Sequence, residues 1–338
     1  MDAGRKRRPA SEAFEEAWEF YVRDTRVEQV SVGMNMPRVV TLLPSASEIV
    51  CALGLKESLV GVSHECDYPP SLKDLPGLTR YRRSAPGQTS DEINADVEAA
   101  LLDALALYEV DEAKLGELAP DVVITQDLCQ VCAVSMDDVQ AAVARLAGRS
   151  SVEVVSLRPT TLSDVLDDVE RVATALGVSE RGKDTRERLE VRLRRLRERS
   201  ANAPKPRVVT VEWMSPIMLG GTWMSEIVEA AGGVAVGSEK GASAPTVTME
   251  ALKALEPDVV LLKPCGYTLE RSKQEPKLLQ SFVEAFPNAR VFLADGNAYF
   301  NRSGPRLVDS AELLAACLHP RLFQDFAALY QGSVLQLR

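Results

Sequence analysis

The sequence predicts an α/β protein of two Rossmann-like α/β lobes with a ligand cleft between them, joined by a single long helix. Short β-branched runs alternate with helical stretches at the spacing of strand–helix–strand units. The same phrases recur in the same order in both halves, and between them a nearly unbroken helical pattern runs from Thr161 to Ala201, interrupted at Gly177 and Gly182 and ended by Asn-Ala-Pro-Lys-Pro. At 338 residues, 46% of them hydrophobic, the chain is long enough for two cores. The expected division is a helical appendage over 1–36, a first lobe over 37–160, an interlobe helix over 161–205 and a second lobe over 206–338.

Arg38 to Pro44, RVVTLLP, reads as the first strand. SEIVCALG follows as a helix capped by Ser45 or Ser47 and stopped at Gly54. LVGVS, Leu59 to Ser63, opens into HECDYPP. A polar loop with RYRRSAPGQ leads to a helix from about Ser90 to Leu107. PDVVITQ is a buried parallel strand, followed by a helix over Met136 to Leu146 and a strand over Val152 to Pro159. In the second half PRVVTVEWMSP echoes PRVVTLLPS, and SEIVEAAGG echoes SEIVCALG. GVAVGS, PDVVLLKPCG and ARVFLADGNAYF then answer the remaining strands. Matched phrases in one order indicate a duplicated lobe, and their unequal intervals separate it from a short-period repeat array.

The 39 basic and 49 acidic residues leave a net charge of −10, which argues against a nucleic-acid binder, whose phosphate contacts need clustered Lys and Arg. The run from Arg186 to Arg199 alternates acids with bases at helical spacing and reads as a self-paired, solvated helix. The first residues are basic but lead into no apolar run, and no stretch has membrane-span character. A cytoplasmic protein is therefore expected, with its six cysteines reduced or metal-bound.

In parallel sheets the ligand crevice lies beyond the carboxyl ends of the strands. Cys66, Cys129, Cys132 and Cys265 all follow strands there, whereas Cys51 and Cys317 lie on apolar helix faces and read as core. The four loop thiols make an iron–sulfur or zinc site an alternative, although one C-x-x-C pair is a weaker signal than two. His64, beside Glu65 and Cys66, is a candidate axial or zinc ligand. His319 reads as a helix cap. Tyr68, Tyr81, Trp213, Tyr267 and Tyr299 lie in loops or near strand ends, where flat rings suit a broad planar ligand. Trp223 serves equally well as a wedge between loop and lobe. Glu212 and Asp127 are candidate acid–base groups, and Cys66 beside His64 a candidate nucleophile. No oxyanion-hole pattern, dinucleotide fingerprint or phosphate loop accompanies them, so a binding protein is expected rather than an enzyme.

RVVTLLPSASEIVCALG, LVGVSHECDYPP and YFNRSGPR (Tyr299 to Arg306) together resemble the class III, helical-backbone substrate-binding proteins of ABC importers, the cobalamin-receptor subgroup in particular. That family takes up cobalamin, ferric siderophores and haem, and the likeness runs from Pro37 to about Leu318. The resemblance implies a corrinoid or related metal complex held by Pro44, His64, Glu65, Tyr68, Tyr81, Trp213, Tyr267, Tyr299 and Arg302. It also implies that Glu92 and Glu229 dock onto permease arginines. With no leader legible, the expectation is a cytoplasmic relative for which a permease partner is doubtful. The alternatives are a cysteine-ligated metalloprotein with an enzymatic role, and an exported receptor with a misassigned N-terminus, whose true start carries the missing signal.

Overall fold

The phrase Pro-Arg-Val-Val opens both halves and folds the same way twice. In the computed structural model, which describes residues 36–81, 88–102, 108–126 and 152–338, each copy starts the central strand of a parallel sheet. The backbone N–H of Arg38 donates to the Asp121 carboxylate at 2.8 Å, while its guanidinium donates to the Leu118 carbonyl. In the second half the N–H of Arg207 donates to Asp258 at 2.7 Å, and its guanidinium to the carbonyls of Leu255 and Glu256. Each arginine thus satisfies carbonyls left open at the end of the short helix that leads into the neighbouring parallel strand, Val122–Gln126 or Val259–Leu262, which is the physical content of the repeated phrase.

The first lobe runs β1 (Val39–Thr41), α1 (Pro44–Ala52), β2 (Leu59–Val62), β3 (Thr79–Tyr81), α2 (Ser90–Leu102), β4 (Tyr108–Val110), α3 (Glu112–Leu118), β5 (Val122–Gln126) and β6 (Glu153–Leu157). Its sheet has the order β2-β1-β5-β6, all parallel, and β3 pairs antiparallel with β4 to one side.

Two helices follow, α4 (Leu162–Ala175) and α5 (Ser179–Ser200). The second lobe comprises β7 (Arg207–Met214), β8 (Ile217–Leu219), α6 (Met224–Ala230), β9 (Val234–Ala235), β10 (Thr246–Val247), α7 (Met249–Ala254), β11 (Val259–Leu262), α8 (Leu269–Ser272), α9 (Pro276–Ala285), β12 (Arg290–Ala294), α10 (Leu307–Leu318), α11 (Gln324–Leu329) and β13 (Val334–Gln336). Its parallel strands stand as β9-β7-β11-β12, repeating the first lobe's order, with antiparallel β8 and β13 added beside β7 and β12.

Two α/β lobes linked by a long helical region are thus the architecture. The linking region is divided, not a single rod. Gly177, at φ +73°, turns the chain between α4 and α5, and the two helices pack on each other. A Cβ added at Gly182 would lie 2.5 Å from that of Ala173, so glycine is what permits the close approach. One arm, α4, packs on α1 of the first lobe, and the other, α5, on α6 and α10 of the second. A continuous apolar core therefore runs from the first sheet through the hairpin to the second. No helix among the described residues is long and apolar enough to cross a membrane. The expected N-terminal helix, the helix over Met136 to Leu146, Asp127, Cys129 and Cys132 lie outside the described residues.

Candidate functional site

The carboxyl ends of β1 and β2 carry two acids towards the second lobe, and the segment after β12 answers with two bases. Arg302 donates to Asp67 at 2.6 Å, to Glu48 at 3.2 Å and to the Asn297 side-chain oxygen at 3.0 Å. Arg306 holds Glu48 with two hydrogen bonds of 3.0 and 2.5 Å, and its guanidinium lies 4.0 Å over the Tyr68 ring. Asn297 also donates to Asp67 at 2.8 Å. HECDYPP and YFNRSGPR, far apart in sequence, therefore meet across the lobes. Around them, Asp67, Tyr68, Thr268, Asp295, Asn297 and Ser333 line a cavity of about 260 Å³.

A second contact joins the lobes at α2. Ser90 donates to the Glu275 carboxylate at 2.8 Å, and Arg271 bonds the Gln88 carbonyl. Arg271 lies 4.3 Å over the Tyr267 ring, which meets Trp213 edge-to-face at 5.3 Å between centroids. At the end of β11, fully buried Lys263 donates to Glu212 at 3.0 Å and to Asn301 at 2.6 Å. Glu212 is thereby the partner of a buried cation.

The candidate ligand residues are placed as follows. Pro44 starts α1, half-buried. Tyr81 ends β3 opposite Tyr108. Tyr299 is buried, edge-to-face with Tyr330, and burial pushes its hydroxyl up to about 12. Trp213 is half-buried, and its indole N–H is enclosed without a hydrogen-bond partner. Trp223 is buried, with its N–H donating to the Phe300 carbonyl at 2.9 Å, so it wedges the closing motif in place. The ring Nδ1 of His64 lies 2.6 Å from the Thr79 hydroxyl and its Nε2 4.0 Å from Glu65. Burial lowers the pKa of His64, against the opposing pull of Glu65. His319 caps α10 and lies against the Gly232 carbonyl.

Cys66 turns into the first lobe's core, 3.0 Å from the Ser47 hydroxyl, and burial pushes its thiol up to about 12. It is thus a packed thiol and no nucleophile activated by His64. Cys265 is exposed, and Cys51 and Cys317 are buried. Among the described residues no three of His, Cys, Asp and Glu gather to hold a metal ion. Glu92 accepts from the Thr89 N–H at 2.7 Å, closing a cap at the start of α2, and Glu229 is exposed on α6. Glu48, Lys263, Arg271, Glu275 and Asn297 are site residues that sequence reasoning missed. The one legible signal was an acid, Glu48, inside the otherwise apolar helix phrase SEIVCAL.

The family model described as periplasmic binding protein matches residues 39–297. The vitamin B12-binding protein of Photorhabdus laumondii is 22% identical over 284 residues, covering 83% of this chain and 88% of that protein. An uncharacterized ABC transporter substrate-binding lipoprotein of Bacillus subtilis is 23% identical over 90% of this chain and 87% of its own length. Among solved structures, a periplasmic haem-binding protein from Pseudomonas aeruginosa superposes with a TM-score of 0.62 at 22% identity, covering 85% of this chain and 94% of that one. The periplasmic vitamin B12 binding protein of Vibrio cholerae gives 0.56 at 21% identity, covering 88% and 99%.

These matches overturn the expected cytoplasmic location and the doubt over a permease partner. The family is described as periplasmic, and a relative matched over nearly its whole length is an ABC transporter lipoprotein, so the exported-receptor alternative is the one the matches favour. The family is one of binding proteins, not catalysts. With the model matched over residues 39–297, this chain belongs to the periplasmic binding protein family.

Proposed function

We propose that this protein is the extracytoplasmic receptor of an ABC importer, that it holds a corrinoid between its lobes, and that it hands the ligand to a membrane permease. The observation that carries the reading is the meeting of HECDYPP and YFNRSGPR across the lobes, with Asp67 and Arg302 2.6 Å apart. Two aromatic groupings support a planar, amide-rimmed ligand: Tyr68 beside the arginines, and Trp213 with Tyr267, the Trp213 indole N–H having no hydrogen-bond partner among the described residues. Relatives named as vitamin B12-binding proteins support the same ligand class. Glu92 and Glu229, on the first turn of α2 and on α6, are the proposed permease contacts.

A cavity of about 260 Å³ is below the roughly 300–1,000 Å³ typical of small-molecule sites. Binding therefore includes a parting of the lobes. Calorimetry with cyanocobalamin and cobinamide tests the proposal. Saturable heat is expected with both, weakened by about 1–3 kcal/mol in Trp213→Ala, the scale of one large aromatic contact. Absence of heat with either corrinoid at high concentration removes the ligand assignment.

A further inference from the structure

At the interlobe wall Arg302 and Arg306 of the second lobe face Glu48 and Asp67 of the first, and Asp295 of the second lobe lines the same cavity. The two first-lobe acids are not equivalent. The Glu48 side chain is 3% exposed and is taken up by both arginines, whereas that of Asp67 is 31% exposed and lines the cavity. Asp67 is also held from two sides, by Arg302 at 2.6 Å and by the Asn297 amide at 2.8 Å. Burial alone would raise its pKa, but the hydrogen bond and charge of Arg302 outweigh that and keep it below the usual carboxylate range, so Asp67 is ionised at neutral pH. Two further cations of the second lobe are matched as well, Lys263 by Glu212 and Arg271 by Glu275.

A ligand carboxylate brought to this wall finds these cations already neutralised and meets the Asp67 charge in a partly desolvated setting, where like charges repel strongly. A neutral carboxamide fares differently. Its carbonyl accepts hydrogen bonds and its NH₂ donates to a carboxylate, so it suits a wall of mixed donors and acceptors. We propose that Asp67 is a specificity-determining residue that sets the cleft against carboxylate-rimmed tetrapyrroles such as haem and in favour of neutral, amide-rimmed ones. The inference deepens the corrinoid reading and rests on the same cleft. Asp67→Asn removes this charge at nearly constant shape and frees Arg302 of one of its two carboxylate partners.

The test titrates wild type, Asp67→Asn and Asp67→Glu with hemin, followed by its Soret band, and with cyanocobalamin, followed by calorimetry. Hemin affinity is expected to rise at least about tenfold in Asp67→Asn, the scale of a charge-assisted hydrogen bond, while Asp67→Glu keeps the wild-type rejection. A hemin affinity in Asp67→Asn within about twofold of wild type, or an equal rise in Asp67→Glu, overturns the proposal. Wild-type protein supplies an arm that no folding defect can spoil: haem dimethyl ester, whose rim is uncharged, should bind at least about tenfold more tightly than hemin, and equal affinities overturn the proposal too. If wild type ignores cyanocobalamin, the corrinoid reading fails, while the hemin and ester comparisons still decide the role of Asp67.

Discussion

Glu48 sits where a helix packed on both sides would carry an apolar residue. Its position is tolerable because both carboxylate oxygens are engaged by Arg306 and one of them also by Arg302. Such a pair is weak evidence for net stabilisation, since taking ions out of water costs nearly what their attraction returns. Breaking it is another matter. Glu48→Ala strands the buried guanidinium of Arg306 and takes one of the acceptors of Arg302, and a loss of about 3–5 kcal/mol in urea unfolding is expected. A loss below about 1 kcal/mol would show that water reaches these arginines and that the lobes are open at this wall.

At the scale of elements, the interlobe hairpin carries its own pH sensitivity. Asp168 on α4 is 1% exposed; one oxygen pairs with Arg171 at 2.9 Å and the other has no hydrogen-bond partner among the described residues. Burial pushes its carboxyl from the ordinary 3.8 up to about 7; Arg171 opposes this and Asp164 and Asp167 add to it. The fold therefore favours the protonated form. This contribution to stability is fully present below pH 3.8, declines as pH rises towards 7, and is gone above it. Asp168→Asn, neutral at every pH, is expected to raise the melting temperature at pH 8 by a few degrees and to change it little at pH 4. Equal shifts at both pH values would mean that Asp168 titrates normally. The same hairpin shows why its helices cross closely, with Gly182 against Ala173 and a Thr161–Asp164 capping box starting α4.

At the scale of the molecule, two of the contacts between the lobes among the described residues differ in character. The Glu48–Arg306 wall lies beside the connection, because α1 packs directly on α4. The Ser90–Glu275 contact joins α2 to the start of α9, a separate part of the interface. Parting the lobes while keeping the wall must then break the second contact. Glu275→Ala removes the acceptor of Ser90 and the ion-pair partner of Arg271. Faster association with cyanocobalamin in stopped-flow mixing is expected, by several-fold. An unchanged rate would place the opening step elsewhere.

The duplicated lobe, the parallel character of the sheets and the helical linking region were legible in sequence, because strand and helix periods and the Pro-Arg-Val-Val and Pro-Asp-Val-Val phrases are local signals. So were the two motifs that meet at the cleft. Local signals do not say which way a side chain turns. Cys66 follows a strand as a ligand would, yet it packs against Ser47; Glu212 stood as an acid–base candidate and proves to be the counter-ion of Lys263. The interruption at Gly177 was legible as a glycine in the helical pattern, but the turn of the chain there into a hairpin of two helices was not. Only the tertiary structure decided the pairing of Glu48 and Asp67 with Arg302 and Arg306, which joins positions 235 to 258 residues apart. Charge pairing at such separations is set by how whole lobes pack, and no periodicity in the chain records it.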